Sequence, residues 1–310
     1  MECFSVRGTH FDIGEALGRI ARPLAGHIAA TVERDASRTR AADMPALLER
    51  VQEQFPQQWD ELRGMSAAMR LDIEDVFLWN CLQEQACEAG NASVVVNRLG
   101  YRLILNKRIV GRSLVPLCRM VEAHPEGKPG FLGLYVPGCL PGTAFGASHA
   151  GVAHVADPIP QETPGNGLPG FVISRAVLDA GSLADALDIV MACEPIGSAH
   201  HILASTQEFV TVAVTASAAE RKLAPIPNTY WTAEASRRTD AALGELMNRL
   251  PRHPGEEDVL SLLEPGADAS VISPAQGNIG TALLKLAAGR IDLRLFRAEG
   301  MHRYTVKVRH

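Results

Sequence analysis

A few side chains stand out for the chemistry they could do. Ser93 opens the apolar run Val94-Val95-Val96, where an inward hydroxyl could attack a carbonyl. Cys87 and Cys139 are the alternative nucleophiles, because a thiol needs only a nearby base to become a thiolate. Asp157 could give or take a proton. Arg108 and Arg175 each carry a fork of donors suited to a carboxylate. Each residue also has a plainer explanation. Ser93 can be a small polar core residue and Cys87 a helix-end thiol. Cys139 can be a loop residue, left comparatively exposed by its Pro/Gly surroundings. Asp157 can cap a turn before Pro158, and Arg108 can be a solvent-facing strand end.

The elements that position these residues centre on one hairpin. Residues 91–97 read as a strand, Arg98-Leu99-Gly100 as a turn, and residues 101–108 as a second strand. Before it, apart from a short strand at Ser5-Val6-Arg7, the chain reads as helix. Ile13, Leu17, Ile20, Leu24, Ile28 and Val32 recur at three- and four-residue steps and predict one helix from Ile13 to Glu33. Further helices are expected over 44–54 and 57–69. Asp72 is placed to cap another, with Glu74 and Asp75 in its acidic first turn. After the hairpin come strands over 131–136 and 151–156, then helices over 171–180 and 182–192. Ser182 is the N-cap of the second, with Asp185 at the capping-box position. A hairpin over 199–204 and 209–216, a long amphipathic helix over 232–250, a short helix over 256–263 and three C-terminal strands (281–286, 291–296, 304–308) complete the pattern. Strands grouped by hairpin-like turns are not the alternation of a doubly wound sheet. The expected class is α+β: two mainly antiparallel sheets packed together with helices outside. Residues 1–90 form a helical segment packed on a 91–310 core, in one structural domain.

Composition narrows the function. The chain has 310 residues and a formal net charge of -5, so no basic field draws it to nucleic acid. Aromatics are only 5%, too few for a base-stacking surface. No window approaches the ~18 apolar residues of a membrane span. The N-terminus lacks the basic start and apolar run of a signal peptide, which points to the cytoplasm. Six cysteines without a CxxC pair suit buried thiols in a reducing compartment. Gly165-Asn166-Gly167-Leu168-Pro169-Gly170 has dinucleotide-loop spacing, but a proline-rich stretch precedes it where a central strand would be required. His200 and His201, adjacent on a strand, must point to opposite faces. With no HExxH and no Cys/His cluster, neither metal nor cofactor is expected.

Several stretches together resemble the penicillin acyltransferase-like (C45 peptidase) family of N-terminal-nucleophile hydrolases. They are Arg7-Gly8-Thr9-His10-Phe11-Asp12-Ile13-Gly14, Leu62-Arg63-Gly64-Met65-Ser66, Trp79-Asn80 with Glu84, Pro137-Gly138-Cys139-Leu140-Pro141-Gly142, and Leu168-Pro169-Gly170-Phe171 with Arg175. The resemblance implies a four-layer αββα core. It also implies a precursor that cuts itself at a Gly-Cys bond and uses the freed cysteine to move an acyl group to water or an amine. Here the junction falls on Gly90-Asn91-Ala92-Ser93, and asparagine has no side-chain atom able to form an acyl-enzyme. The family's Asn-x-Asp falls on Asn106-Lys107-Arg108, so a base replaces the acid. A further element aligns with Pro227-Asn228-Thr229-Tyr230.

Two functions follow as expectations. One is an amide hydrolase or acyltransferase with altered catalytic residues (Asn91, Ser93, Asn106, Asp157) and no self-cleavage. The other is a relative that binds a small amide, acyl or carboxylate ligand through Arg108, Arg175, Asn228 and Cys139 without turning it over. Neither nucleic acid nor membrane is an expected partner, and self-association is left open.

Overall fold

A computed structural model describes residues 1–35, 44–86, 91–98, 100–108, 110, 113–159, 167–193, 198–214, 222–225, 229–234, 245, 248–251, 254–263 and 279–309. Their strands form two sheets. The larger is ordered β1 (Cys3–Gly8), β4 (Arg119–Pro125), β5 (Phe131–Tyr135), β6 (Phe145–Ser148), β7 (Ala153–Ile159), β8 (Ser198–Ala204), β9 (Phe209–Val214), β10 (Lys222–Pro225). The smaller is ordered β11 (Thr229–Glu234), β2 (Asn91–Arg98), β3 (Tyr101–Arg108), β12 (Gly280–Ala287), β13 (Arg290–Arg297), β14 (Gly300–Lys307). Described neighbours pair antiparallel, except β1, which lies parallel to β4. The first ninety residues therefore supply a strand of the larger sheet as well as helices.

The β2–β3 hairpin shows why the sheets stack. Its side chains alternate between two faces. Val94, Val96, Leu103 and Leu105 pack on one side with Val259 of α8 (Glu256–Ser261) and with Leu262. Val95 and Ile104 belong to the other, larger core. On the far face of the larger sheet lie α1 (His10–Ala21), α2 (Ala25–Asp35), α3 (Met44–Gln54), α4 (Pro56–Met69), α5 (Ile73–Ala86), α6 (Gly170–Val177) and α7 (Leu183–Ala192). The order is helices, sheet, sheet, helix, the α+β arrangement expected. No described helix is long and apolar enough to cross a membrane.

Some local expectations are corrected. The helix expected over 13–33 is two helices, separated by a single 3-10 turn at Arg22–Leu24. Pro23 sits in that turn, where it lacks an N–H and its ring crowds the preceding one. Residues 232–234, read as a helix start, are strand: β11 takes the β-branched and aromatic run Thr229-Tyr230-Trp231-Thr232. Most of the remainder of that expected helix lies outside the described residues. Strands β4 and β6 had no clear alternation to announce them. Ser182 caps α7 as expected, accepting from the Asp185 N–H at 3.1 Å.

Helices α1 and α4 approach backbone to backbone. A Cβ at Gly14 would lie 1.9 Å from the Glu61 carbonyl oxygen, and one at Gly64 would lie 2.1 Å from that of Phe11. No side chain larger than hydrogen fits either position, and this close crossing sets Glu61 beneath α1.

Candidate active site

Three polar side chains are buried together where β2 and β3 face β7. Asn106 donates from Nδ2 to Ser93 Oγ at 2.9 Å and to Asp157 Oδ1 at 3.0 Å, and all three are fully buried. Register explains the convergence. Ser93 and Asn106 are partners across the hairpin, so their side chains leave the same face. Asp157 reaches them from the opposing sheet. Polar groups survive in such a place only when bonded. Among the described residues the Asn106 Oδ1 has no hydrogen-bond partner, so a buried acceptor faces this site. Asp157 stands opposite His200 in the β7–β8 register, which puts that imidazole on the same face.

Arg108 lies two residues beyond Asn106 on β3. It is buried, and its Nη1 donates to the Ala156 carbonyl at 3.2 Å, across the gap between the sheets. It lines a cavity of about 30 Å³ with Asn80, Cys139, Ala156, Phe171 and His201. Asn80 fastens the loop that carries Cys139: it donates to the Gly138 carbonyl at 3.0 Å and accepts from the Leu140 N–H at 2.8 Å. Trp79 Nε1 donates to the Pro137 carbonyl at 3.0 Å. Gly138 has φ +81°, and a Cβ there would lie 2.8 Å from Trp79 Nε1. Cys139, expected to be comparatively exposed, is therefore buried. Helix α5 holds its loop down against the cavity.

Arg175 lies elsewhere. Fully buried, it donates to Glu61 Oε2 from Nε at 2.9 Å, pairs with Glu61 Oε1 at 2.5 Å and with Asp179 Oδ1 at 2.8 Å, and stacks over Phe131. His10 Nδ1 bonds Glu61 Oε1 at 2.8 Å, and Gln58 donates to Asp179 at 2.8 Å. Burial opposes ionisation of Glu61, but Arg175 and His10 outweigh it and hold its carboxyl below the usual range. Burial, with the Glu61 charge, pushes Asp179 up despite Arg175. The guanidinium is committed to two carboxylates on the helical side, so the structure does not bring Arg175 to the cavity.

The backbone of Asn91 begins β2, paired with Glu234 of β11. Asn228 and Cys87 lie outside the described residues. Sequence reasoning passed over His201. It pairs with Ala156 on the cavity side, and its Nδ1 lies 3.1 Å from His154 Nε2. Burial, with the charge of His200, pulls His201 down to about 4. The opposite facing of His200 and His201 on one strand was the available signal.

Residues 114–241 match the family model of acyl-coenzyme A:6-aminopenicillanic acid acyl-transferase. The matched span holds Cys139, Asp157 and Arg175 and begins after the β2–β3 hairpin. Among solved structures, penicillin V acylase from Agrobacterium tumefaciens is 13% identical, with a TM-score of 0.43 over 70% of this chain and 86% of that one. Two single-residue variants of conjugated bile acid hydrolase from Clostridium perfringens are 11% and 10% identical, with TM-scores of 0.37 and 0.40. Each covers 69% of this chain and 92% of its own. No curated protein sequence matches the chain.

Proposed function

We propose that this chain acts on the carbonyl of a small amide or acyl compound, hydrolysing it or passing the acyl group to an amine, without a self-released cysteine. The Ser93–Asn106–Asp157 cluster carries this reading. Ser93 supplies a hydroxyl, Asp157 a carboxylate able to take its proton, and Asn106 holds both from one amide nitrogen. Ser93 Oγ adds to the carbonyl carbon and its proton passes to Asp157. The amine leaves with that proton, and water or a second amine then releases the acyl group and restores the serine. Arg108, beside the cavity, is placed to hold an anionic end of the ligand. Asn91 supports an uncut chain, because its amide cannot serve as the acyl carrier.

A second reading, ligand binding without turnover, draws on the same Asn91. Intact mass separates both from a self-cleaving enzyme: one 33.3 kDa species is expected, and two fragments divided at residues 90 and 91 would overturn either reading. A screen of amides and thioesters then decides between them. Turnover that falls in Arg108→Ala through a raised KM supports the enzyme. Binding without turnover supports the second reading, and an Arg108→Ala variant equal to the parent in both would remove the anion pocket.

A further inference from the structure

A second polar cluster lies apart from that cavity, at the β4 end of the larger sheet. Glu122 and His124 are two apart on β4 and so share a face. His149 follows β6 in a tight turn closed by the Gly151 N–H on the Ser148 carbonyl at 3.0 Å. The turn is held from both sides: the His149 N–H donates to the Gly130 carbonyl at 2.7 Å, and the Arg309 N–H donates to the His149 carbonyl at 2.8 Å. The two imidazoles stack, centroids 5.6 Å apart at 19°. His149 Nε2 is 3.2 Å from Glu122 Oε1, and His124 Nε2 is 3.8 Å from the same oxygen. One donor atom from each residue lies within 4.8 Å of the other two.

The bond on the far side of His149 decides what can lie between these groups. Its Nδ1 is 2.8 Å from the Lys307 carbonyl oxygen, which only accepts, so Nδ1 carries the hydrogen. In the neutral ring Nε2 then presents a lone pair, and that lone pair faces a carboxylate oxygen. Two acceptors 3.2 Å apart repel unless a proton or a metal cation lies between them. An imidazole whose other N–H is fixed by a backbone carbonyl is the usual setting of a metal-bound histidine. Gly130 leaves the room: a Cβ would lie 2.6 Å from His124 Nδ1 and 2.9 Å from His149 Cδ2.

We propose that Glu122, His124 and His149 bind a divalent transition-metal ion, zinc in preference to magnesium or calcium. Two imidazoles and one carboxylate make up a known three-ligand zinc set, whereas the harder cations want oxygen donors throughout. The Glu122 side chain is 39% exposed, so a fourth position opens to solvent. A bound ion would clamp β4 to the C-terminal strand, whose Lys307 and Arg309 already hold His149. Arg7, opposite His124 on β1, and Arg309 add positive charge at His124. The Glu122 carboxylate is the ligand that offsets the ion's charge. Sequence spacing gave no sign of this set, because its members come from β4 and from a turn two strands away.

The full chain, stripped with chelator, is titrated with zinc against a chromophoric competitor. One equivalent is expected to bind, unaffected by millimolar magnesium. Gly130→Ala should weaken it by about 10- to 100-fold, as outer positions of zinc sites do, and Glu122→Gln and His149→Gln by at least as much. Glu122→Gln removes a half-exposed charge and keeps the shape, so an unchanged circular dichroism spectrum is expected and the comparison survives if Gly130→Ala fails to fold. Absence of saturable zinc binding would overturn the proposal, with a proton then occupying the gap. Binding of unchanged affinity in Glu122→Gln would overturn it equally.

Discussion

At the scale of the residue, the Asn106 amide decides how the cluster can work. One nitrogen donates to both Ser93 and Asp157, so it fixes a hydroxyl and a carboxylate on either side of itself. Asp157→Asn keeps the shape and an acceptor oxygen but removes the base. Turnover of any substrate found by screening should fall by about 100- to 10,000-fold, the range for losing a positioned general base. The fold and ligand affinity should be little changed. Equal activity in parent and variant would show that Asp157 is structural, as its position before Pro158 also allowed. Ser93 and Asp157 could each be singled out in the sequence, the one as an inward hydroxyl on a strand and the other as a possible acid or base. That they share a partner could not be read there. The bond joins residues 51 apart in the chain and crosses between sheets, and strand parity predicts a face but not what the opposing sheet puts there.

At the scale of the element, Arg175 shows what a sequence hides. Its arginine chemistry suggested an anion site, yet its partner Glu61 is 114 residues away on α4. The meeting is made where α4 packs against α6, and the Gly14 and Gly64 crossing brings α1 onto α4 beside it. The pair sits at zero exposure and ties α4 to α6, with His10 of α1 on the same carboxylate. Arg175→Met should leave Glu61 charged and poorly compensated, costing about 3–5 kcal/mol, as broken buried pairs do. Urea unfolding followed by circular dichroism would measure this as a lower midpoint. Unchanged stability with weakened ligand binding would restore the anion-site reading. Most elements were legible because their signals were local: the apolar Val94–Val96 run, the α1 and α3 stripes and the partial alternation of the C-terminal strands. The strand at 229–234 was misread because Leu243, Leu246, Met247 and Leu250 extend a helical period backward across Thr232. The β-branched and aromatic run there was the stronger local signal.

At the scale of the whole molecule, the histidine pair under the larger sheet couples stability to acidity. The His154 and His201 rings stack at 5.3 Å and 15°, with their nitrogens bonded at 3.1 Å, and both are buried. Burial is the first cause of the depression of each, to about 4 for His201 and well below the usual imidazole range for His154, where the charge of His201 adds. Well above pH 6.5 both rings are neutral in the folded and unfolded chain, and the pair exerts no pH dependence. As pH falls from 6.5 toward 4, the unfolded imidazoles take up protons that the folded ones refuse, so stability is lost. For His201 alone the shift amounts to roughly 3 kcal/mol by pH 4, at about 1.4 kcal/mol per unit. His154 acts in the same direction. The lowered carboxyl of Glu61 takes effect only as pH falls through the ordinary carboxylate range, and the raised carboxyl of Asp179 acts in the opposite direction, so the loss of stability between 6.5 and 5 comes from the buried histidines. Urea midpoints measured from pH 7.5 to 5 should fall along that slope. In His201→Gln the slope should lessen by about one proton while the parent's plateau above pH 7 shifts as a whole. A slope in His201→Gln equal to the parent's would place the acid sensitivity elsewhere in the fold, and His201, which also lines the cavity beside Arg108, would then be free to carry charge there.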